Sequence, residues 1–285
     1  MAWRDPVIDY CERQGHGFWS EPVNALTNIA FLLAAAAAFA LWRRRRETDY
    51  PALALIVVTA LVGVGSFIFH TVATRGAMLF DVVPIAVFIY GYFLLALRRF
   101  FGLGALASTA ITLLFAAGSY LVEYTFHGLH GSVGYLPALG AMICFAALLW
   151  PRTRRRQTAD GLALAALVFA ASLTFRTMDG DVCAAFPLGT HFLWHILNAC
   201  VLWLLLRTAM LHAEPREPSG SRLTISGDSE AEGQRPDRGV GENQRPDVAR
   251  EKIGGGPGEA REKSVGEQHG IAIGVVHQRK NDGRI

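Results

Sequence analysis

Lysine is missing from the first 251 residues of this 285-residue chain; its three copies, Lys252, Lys263 and Lys280, all lie near the C terminus. No hydrophobic segment can therefore carry the Schiff-base lysine that a retinal protein requires, and that class is excluded. Charge is scarce as well, at 18% of residues against 52% hydrophobic and a mean hydropathy of +0.28. That balance excludes a disordered chain, argues against an ordinary soluble domain and leaves a membrane protein as the leading class. The net charge of +3 is no nucleic-acid footprint, because it is divided: residues 1–212 hold 15 basic and 11 acidic residues, and residues 213–285 hold 12 and 13. Only four cysteines occur, without the clustered spacing of a structural zinc site. After residue 212 there is no Phe, Trp or Tyr, but there are 13 glycines, mixed charges and a repeated Gln-Arg-Pro-Asp at 234–237 and 244–247. Such a tail cannot bury enough apolar surface to fold.

What the chain has in abundance is uninterrupted apolar sequence, near residues 22–42, 51–70, 77–97, 103–124, 132–150, 159–177 and 190–211. Each run is close to the roughly 20 residues needed to cross a hydrocarbon core, and each is read as a helix because a helix satisfies its own backbone groups where there is no water. The expected fold is thus an all-α integral membrane bundle of seven transmembrane helices with a disordered C-terminal tail. It divides into an acidic leader (1–21), a seven-span domain (22–212) and the tail (213–285). The first span is not a cleavable signal, since polar and acidic residues precede it where a signal would start with a short basic region.

Arginine placement orients the bundle. Arg43 to Arg46 follow span one, Arg98 and Arg99 follow span three, and Arg152 with Arg154 to Arg156 follow span five. These mark cytoplasmic loops, which puts the N terminus outside and the C terminus in the cytoplasm. Cys11 and Cys183 then share the outer side, where an oxidising environment permits a disulfide. Cys144 and Cys200 fall within spans and are expected as free thiols.

Ionisable side chains inside spans are costly, so each is a candidate functional group. Span two ends Gly63-Val-Gly-Ser66-Phe-Ile-Phe-His70, placing Ser66 and His70 on one helical face. Asp81 lies within about 6 Å of the start of span three at 1.5 Å per residue, at nearly the depth of His70. Span seven opens Thr190-His191-Phe-Leu-Trp-His195, an i, i+4 histidine pair that can place two imidazoles on one metal. Three imidazoles with a fourth position open to water is the pattern of catalytic zinc. Zinc would lower the pKa of its water towards about 7; Asp81 is the expected proton carrier and Ser66 the expected hydrogen-bond donor. Asn24, Thr27 and Asn28 form one stripe in span one that would hold helices together by hydrogen bonds. Glu123, followed by His127 and His130, is expected at a substrate entrance, behind the zinc ligands or at the interface, and Trp194 as packing or an interface anchor.

These residues resemble the alkaline ceramidases, in a superfamily that includes the progestin and adiponectin receptors. The likeness rests on Ser66-x-x-x-His70, Asp81 and His191-x-x-x-His195, and on Asp9-Tyr-Cys-Glu12 and Glu21-Pro-Val-Asn24-x-x-x-Asn28 in the leader and first span. It extends from residue 5 to about 205. The resemblance implies a zinc amidase that cleaves the N-acyl bond of ceramide to a sphingoid base and a fatty acid, with His70, His191 and His195 holding Zn2+ beside Asp81 and Ser66. It also implies a Ca2+ ion held by Asp9, Glu12 and Glu21, with main-chain help around Tyr10 and Gln14; hard oxygen ligands suit calcium. Three features depart from the eukaryotic pattern: Tyr10 stands in place of tryptophan, Gln14 in place of a shorter amide, and the leader is slightly shorter before Glu21. The implied partners are a ceramide-like lipid and the bilayer, with no nucleic acid. Two alternatives remain open: a receptor-like or structural bundle whose metal does no chemistry, and a hydrolase of another lipid amide or ester.

Overall fold

The computed structural model describes residues 3–45, 48–126 and 128–211, with His130 described by its backbone alone. The tail from residue 213, Arg46, His127 and the His130 side chain lie outside the described residues. Helices account for the architecture, and among the described residues there is no strand, only an isolated bridge between Pro6 and Thr74.

In chain order the helices are α1 (Pro22–Thr27), α2 (Ile29–Arg44), α3 (Tyr50–Val72), α4 (Arg75–Phe100), α5 (Ala105–Thr125), α6 (Leu136–Leu149), α7 (Arg156–Val182) and α8 (His191–Leu211). Six segments are long and apolar enough to cross a membrane: Pro22–Arg44, Tyr50–Val72, Arg75–Phe100, Ala105–Thr125, Thr153–Val182 and His191–Leu211. The fifth expected span is a shorter apolar helix, Val133–Leu149. Its 17 residues extend only about 25 Å at 1.5 Å each, below a hydrocarbon thickness of roughly 30 Å. Two 3-10 turns over Leu129–Gly131 and Val133–Tyr135 take up the preceding chain, and Pro137 sits in the first turn of α6. The sixth span is longer than its apolar run suggests, and continues past Arg176 and Asp179 before ending.

Local sequence accounts for the helix ends. Asp49 caps α3 by accepting from the Ala52 amide at 3.2 Å, with Pro51 in the first turn. Thr74 caps α4 through the Ala77 amide, also at 3.2 Å. Only Ala73 and Thr74 separate α3 from α4, so the last turn of one and the first turns of the other lie side by side. The leader docks against this turn: the Val7 amide donates to the Ala73 carbonyl, and the Arg75 and Gly76 amides donate to Asp5 and Trp3 carbonyls.

The core lies where α2, α3, α7 and α8 meet, and it is lined by small residues on α2 and α7 (Ala34, Ala35, Ala38, Ala159, Ala165, Ala166) against Leu202, Leu205 and Leu206 of α8. Without a hydrophobic drive between helices in lipid, such small residues let backbones approach closely and gain dispersion energy. Side chains of α5 such as Leu113 and Leu114 remain exposed, as expected for a face solvated by lipid rather than protein. A disulfide joins Cys11 to Cys183, with Cα atoms 5.1 Å apart, and ties the leader to the residue just after α7. Cys144 and Cys200 are free.

Candidate metal centre

His70 lies in the last turn of α3, and His191 and His195 occupy the first two turns of α8. One ring nitrogen from each falls within 4.8 Å of the others. All three rings are buried, and His70 Nε2, His195 Nε2 and His191 Nδ1 have no hydrogen-bond partner. Orphaned buried ring nitrogens are expensive unless something binds them. Three converging imidazoles are the donor set of a zinc with an open position, so the residues present fit that metal.

Neighbouring groups set the tautomers. Glu21 accepts from His70 Nδ1 at 2.6 Å, which leaves the His70 Nε2 lone pair free. The Thr27 hydroxyl gives its single proton to a carbonyl of its own helix, Val23 at 2.8 Å or Asn24 at 3.1 Å. Its oxygen therefore accepts from His195 Nδ1, 3.0 Å away, and again frees Nε2. Replacing Thr27 by Val is expected to weaken zinc binding about tenfold without unfolding the bundle. Chelator competition measures this, and an unchanged affinity would show that the contact does not matter to the metal. Asn24 and Asn28, from the same stripe, are fully buried, and the Asn28 amide donates to the Asn24 carbonyl at 2.9 Å.

Burial alone would push the Glu21 carboxyl up. The hydrogen bond and charge of His70, with bonds from Arg13 and Asn24, more than reverse this and hold it below the ordinary value. Tyr10 lays its ring 3.9 Å from that of His191, and burial pushes its phenol well up.

His191 is held from behind by Asp179, a buried carboxylate of α7 that accepts from the backbone amides of Thr190 at 2.7 Å, His191 at 2.8 Å and Cys11 at 3.1 Å. Gly189 permits this: its φ is +69°, and a Cβ there would lie 2.1 Å from Asp179 Oδ1.

Ser66 and Asp81 sit beside a tight backbone contact between α3 and α4. A Cβ on Gly65 would lie 1.8 Å from the Phe80 carbonyl oxygen. That carbonyl has lost its helical donor because Pro84, four residues on, has no N–H. Ser66, the next residue, is a hydrogen-bonding partner of the Asp81 carboxylate. Asp81 also lines a cavity of about 760 Å³, together with Tyr10, His191, Glu123, Tyr135 and Arg176. Glu123 thus lines the cavity, where Gly134 leaves room for its carboxylate. Trp194 is packing: it is buried against Tyr135 and Phe169.

The leader acids are arranged differently from a calcium cage. Asp9 is exposed, and Glu12 spends its two oxygens on the Val23 and Asn24 amides at 2.7 and 2.8 Å, capping α1. Gln14 is exposed and donates to the Cys11 carbonyl at 2.9 Å, Tyr10 stacks on His191, and Glu21 is committed to Arg13, His70 and Asn24. Among the described residues the three histidines are the one group of His, Cys, Asp and Glu gathered closely enough to hold an ion. As arranged here, these five leader residues do not gather into one calcium cage.

Three contributors escape a reading of the sequence: Glu21 as the partner of His70, Thr27 as the partner of His195, and Asp179 behind His191. Thr27 is within reach of the sequence, since the stripe it shares with Asn24 and Asn28 is expected to hydrogen-bond between helices, but its partner, His195, is not.

Fold and site together define a multi-pass membrane protein whose buried histidine triad can hold a metal beside a carboxylate-lined cavity. The profile of a family described as Ceramidase matches residues 5–224, and the chain belongs to the ceramidase family. Membership implies a hydrolase of an amide bond in a lipid substrate. No curated protein gives a significant match to the chain.

Proposed function

We propose that this protein is a zinc-dependent amidase that hydrolyses the N-acyl bond of ceramide, releasing a sphingoid base and a free fatty acid. The observation that carries the reading is the triad itself: three buried histidines, each with a partnerless ring nitrogen and each offering one nitrogen within 4.8 Å of the others, in a chain of this family. His70, His191 and His195 would hold the zinc. When bound, zinc supplies a Lewis acid and allows a water to ionise near neutral pH.

The chain's own residues then divide the remaining work. Asp81 takes a proton from the attacking water as its oxygen bonds to the amide carbon. It returns that proton to the nitrogen as the C–N bond breaks, so that the amine leaves neutral. The Ser66 hydroxyl has one hydrogen bond to donate, and in the resting site it goes to the Asp81 carboxylate. Once Asp81 is protonated it needs no donor, and the Ser66 hydroxyl is released to the developing oxyanion. Glu21 and Thr27 keep the His70 and His195 rings aimed throughout.

The cavity suits a lipid. Its walls at Ile85, Ile89 and Tyr135 are shared with a second, apolar cavity among α4, α6, α7 and α8, towards which an acyl chain can extend. The leader and the cavity mouth face the outside of the membrane in this reading. The Cys11–Cys183 disulfide supports that placement because disulfides persist in oxidising compartments, as do the arginines in the last turns of α2 and α4 and just after α6, which in this reading face the cytoplasm.

Purified full-length protein in detergent with a defined ceramide provides the test, with products identified by mass spectrometry. Sphingoid base and fatty acid should accumulate in equal amounts. Absence of both from a folded, zinc-loaded preparation would overturn the ceramide assignment, and hydrolysis of a lipid ester or another N-acyl amide in its place would redirect it.

A further inference from the structure

One side chain near the metal centre has no part in the mechanism above yet touches much of what supports it. The Arg13 side chain is 1% exposed, although it belongs to the leader. Its Nε donates to Glu21 Oε1, its Nη1 to the carbonyls of Gly15 at 3.1 Å and Gly17 at 3.5 Å, and its Nη2 to the carbonyl of His70 at 2.7 Å. One cation therefore draws in oxygens from the leader loop, the residue preceding α1 and the end of α3. Calcium in a loop is surrounded in a similar way by carboxylate and carbonyl oxygens. Here a guanidinium fills that role, and its planar fork of donors is suited to several acceptors at once.

The consequence reaches His70 by two routes. Arg13 holds the His70 backbone directly through its carbonyl. It also holds Glu21 Oε1, while Glu21 Oε2 accepts from the His70 ring at 2.6 Å and from the Asn24 amide at 3.1 Å. Backbone and ring of one histidine are thus positioned by the same cation. Glu21 is 2% exposed, and without Arg13 its charge would lie buried beside the triad with no cationic side chain bonded to it.

We propose that Arg13 is the resident cation of the leader and a positioning residue for His70, so that this chain assembles its metal centre without calcium. The inference rests on the reading of the three histidines as zinc ligands, but not on turnover. Its readouts are zinc affinity and thermal stability, so failure of the ceramide assay and failure of this inference can be told apart.

The experiment uses full-length protein in detergent at a fixed, buffered zinc concentration. In the first arm, calcium is raised from depleted to millimolar levels on the intact protein. Melting temperature and zinc affinity should stay constant, and a saturable rise in either overturns the proposal. In the second arm, zinc affinity is measured for Arg13→Gln and Arg13→Lys by chelator competition. Arg13→Gln should bind about 10- to 100-fold more weakly, and Arg13→Lys should recover part of the loss because it keeps the charge but not the fork. The cobalt-substituted Arg13→Gln protein should also show an altered ligand-field spectrum, which a loss of leader stability alone would not produce. Zinc affinity in Arg13→Gln equal to that of the intact protein overturns the proposal. If Arg13→Gln fails to fold, the calcium arm still decides it.

Discussion

Asp81→Asn is expected to lower ceramide hydrolysis by about 10²- to 10⁴-fold, the range typical for loss of a positioned proton carrier, while zinc stoichiometry and melting temperature stay close to those of the intact protein. The substitution preserves volume, and the amide oxygen can still accept a hydrogen bond from Ser66. What it removes is the ability to take and return a proton. The metal should remain, because the three converging ring nitrogens belong to histidines and Asp81 is not part of that group. His191→Ala is the companion measurement, since it should lose metal and activity together. The pair separates chemistry from architecture: a bundle that uses its metal only as a brace would show no hydrolysis for Asp81→Asn to lose. Asp81→Asn protein that turns over at nearly the intact rate would remove Asp81 from the mechanism. Protein that loses its zinc would make Asp81 a structural support of the site.

The histidine triad was legible because its two periodicities are local. An i, i+4 pair shares a helix face whatever surrounds it, and helix rise puts Ser66, His70 and Asp81 at neighbouring depths across a short turn. The supporting groups were not legible, because their roles depend on partners from distant parts of the chain. Glu21 reads as one more leader acid until α3 brings the His70 ring to 2.6 Å. Asp179 follows the apolar run that ends near residue 177 and so reads as loop, whereas α7 continues to Val182 and buries it. Arg13 counts only as a leader charge until its carbonyl partners are seen. The disulfide was readable as an opportunity, two cysteines on one side, but distance is not written in sequence. Hydropathy placed the apolar segments correctly and misjudged the length of the fifth, where two 3-10 turns replace helix before Leu136.

Asp179→Ala carries the second largest expected effect. Three backbone N–H groups, of Cys11, Thr190 and His191, lose their acceptor at once. At about 1–3 kcal/mol for each buried donor left unpaired, the cost is roughly 3–6 kcal/mol after partial relaxation. The negative charge beside the start of α8 is lost too, which weakens the helix at the turn that presents His191. Zinc affinity should therefore fall together with melting temperature. Asp179→Asn is the milder case: its amide oxygen can replace the acceptor for Thr190 and His191, but its amide nitrogen meets the Cys11 N–H donor to donor. Gly189→Ala reaches the same site from the other side, since its Cβ would lie 2.1 Å from Asp179 Oδ1 and 2.8 Å from the Cys11 Cβ, on a backbone with φ of +69°. The two substitutions act on one contact, so Asp179→Ala combined with Gly189→Ala should cost clearly less than the sum of the singles. Additive losses in melting temperature and zinc affinity would show that Asp179 and Gly189 act separately, and that the start of α8 is held in place by something other than this carboxylate.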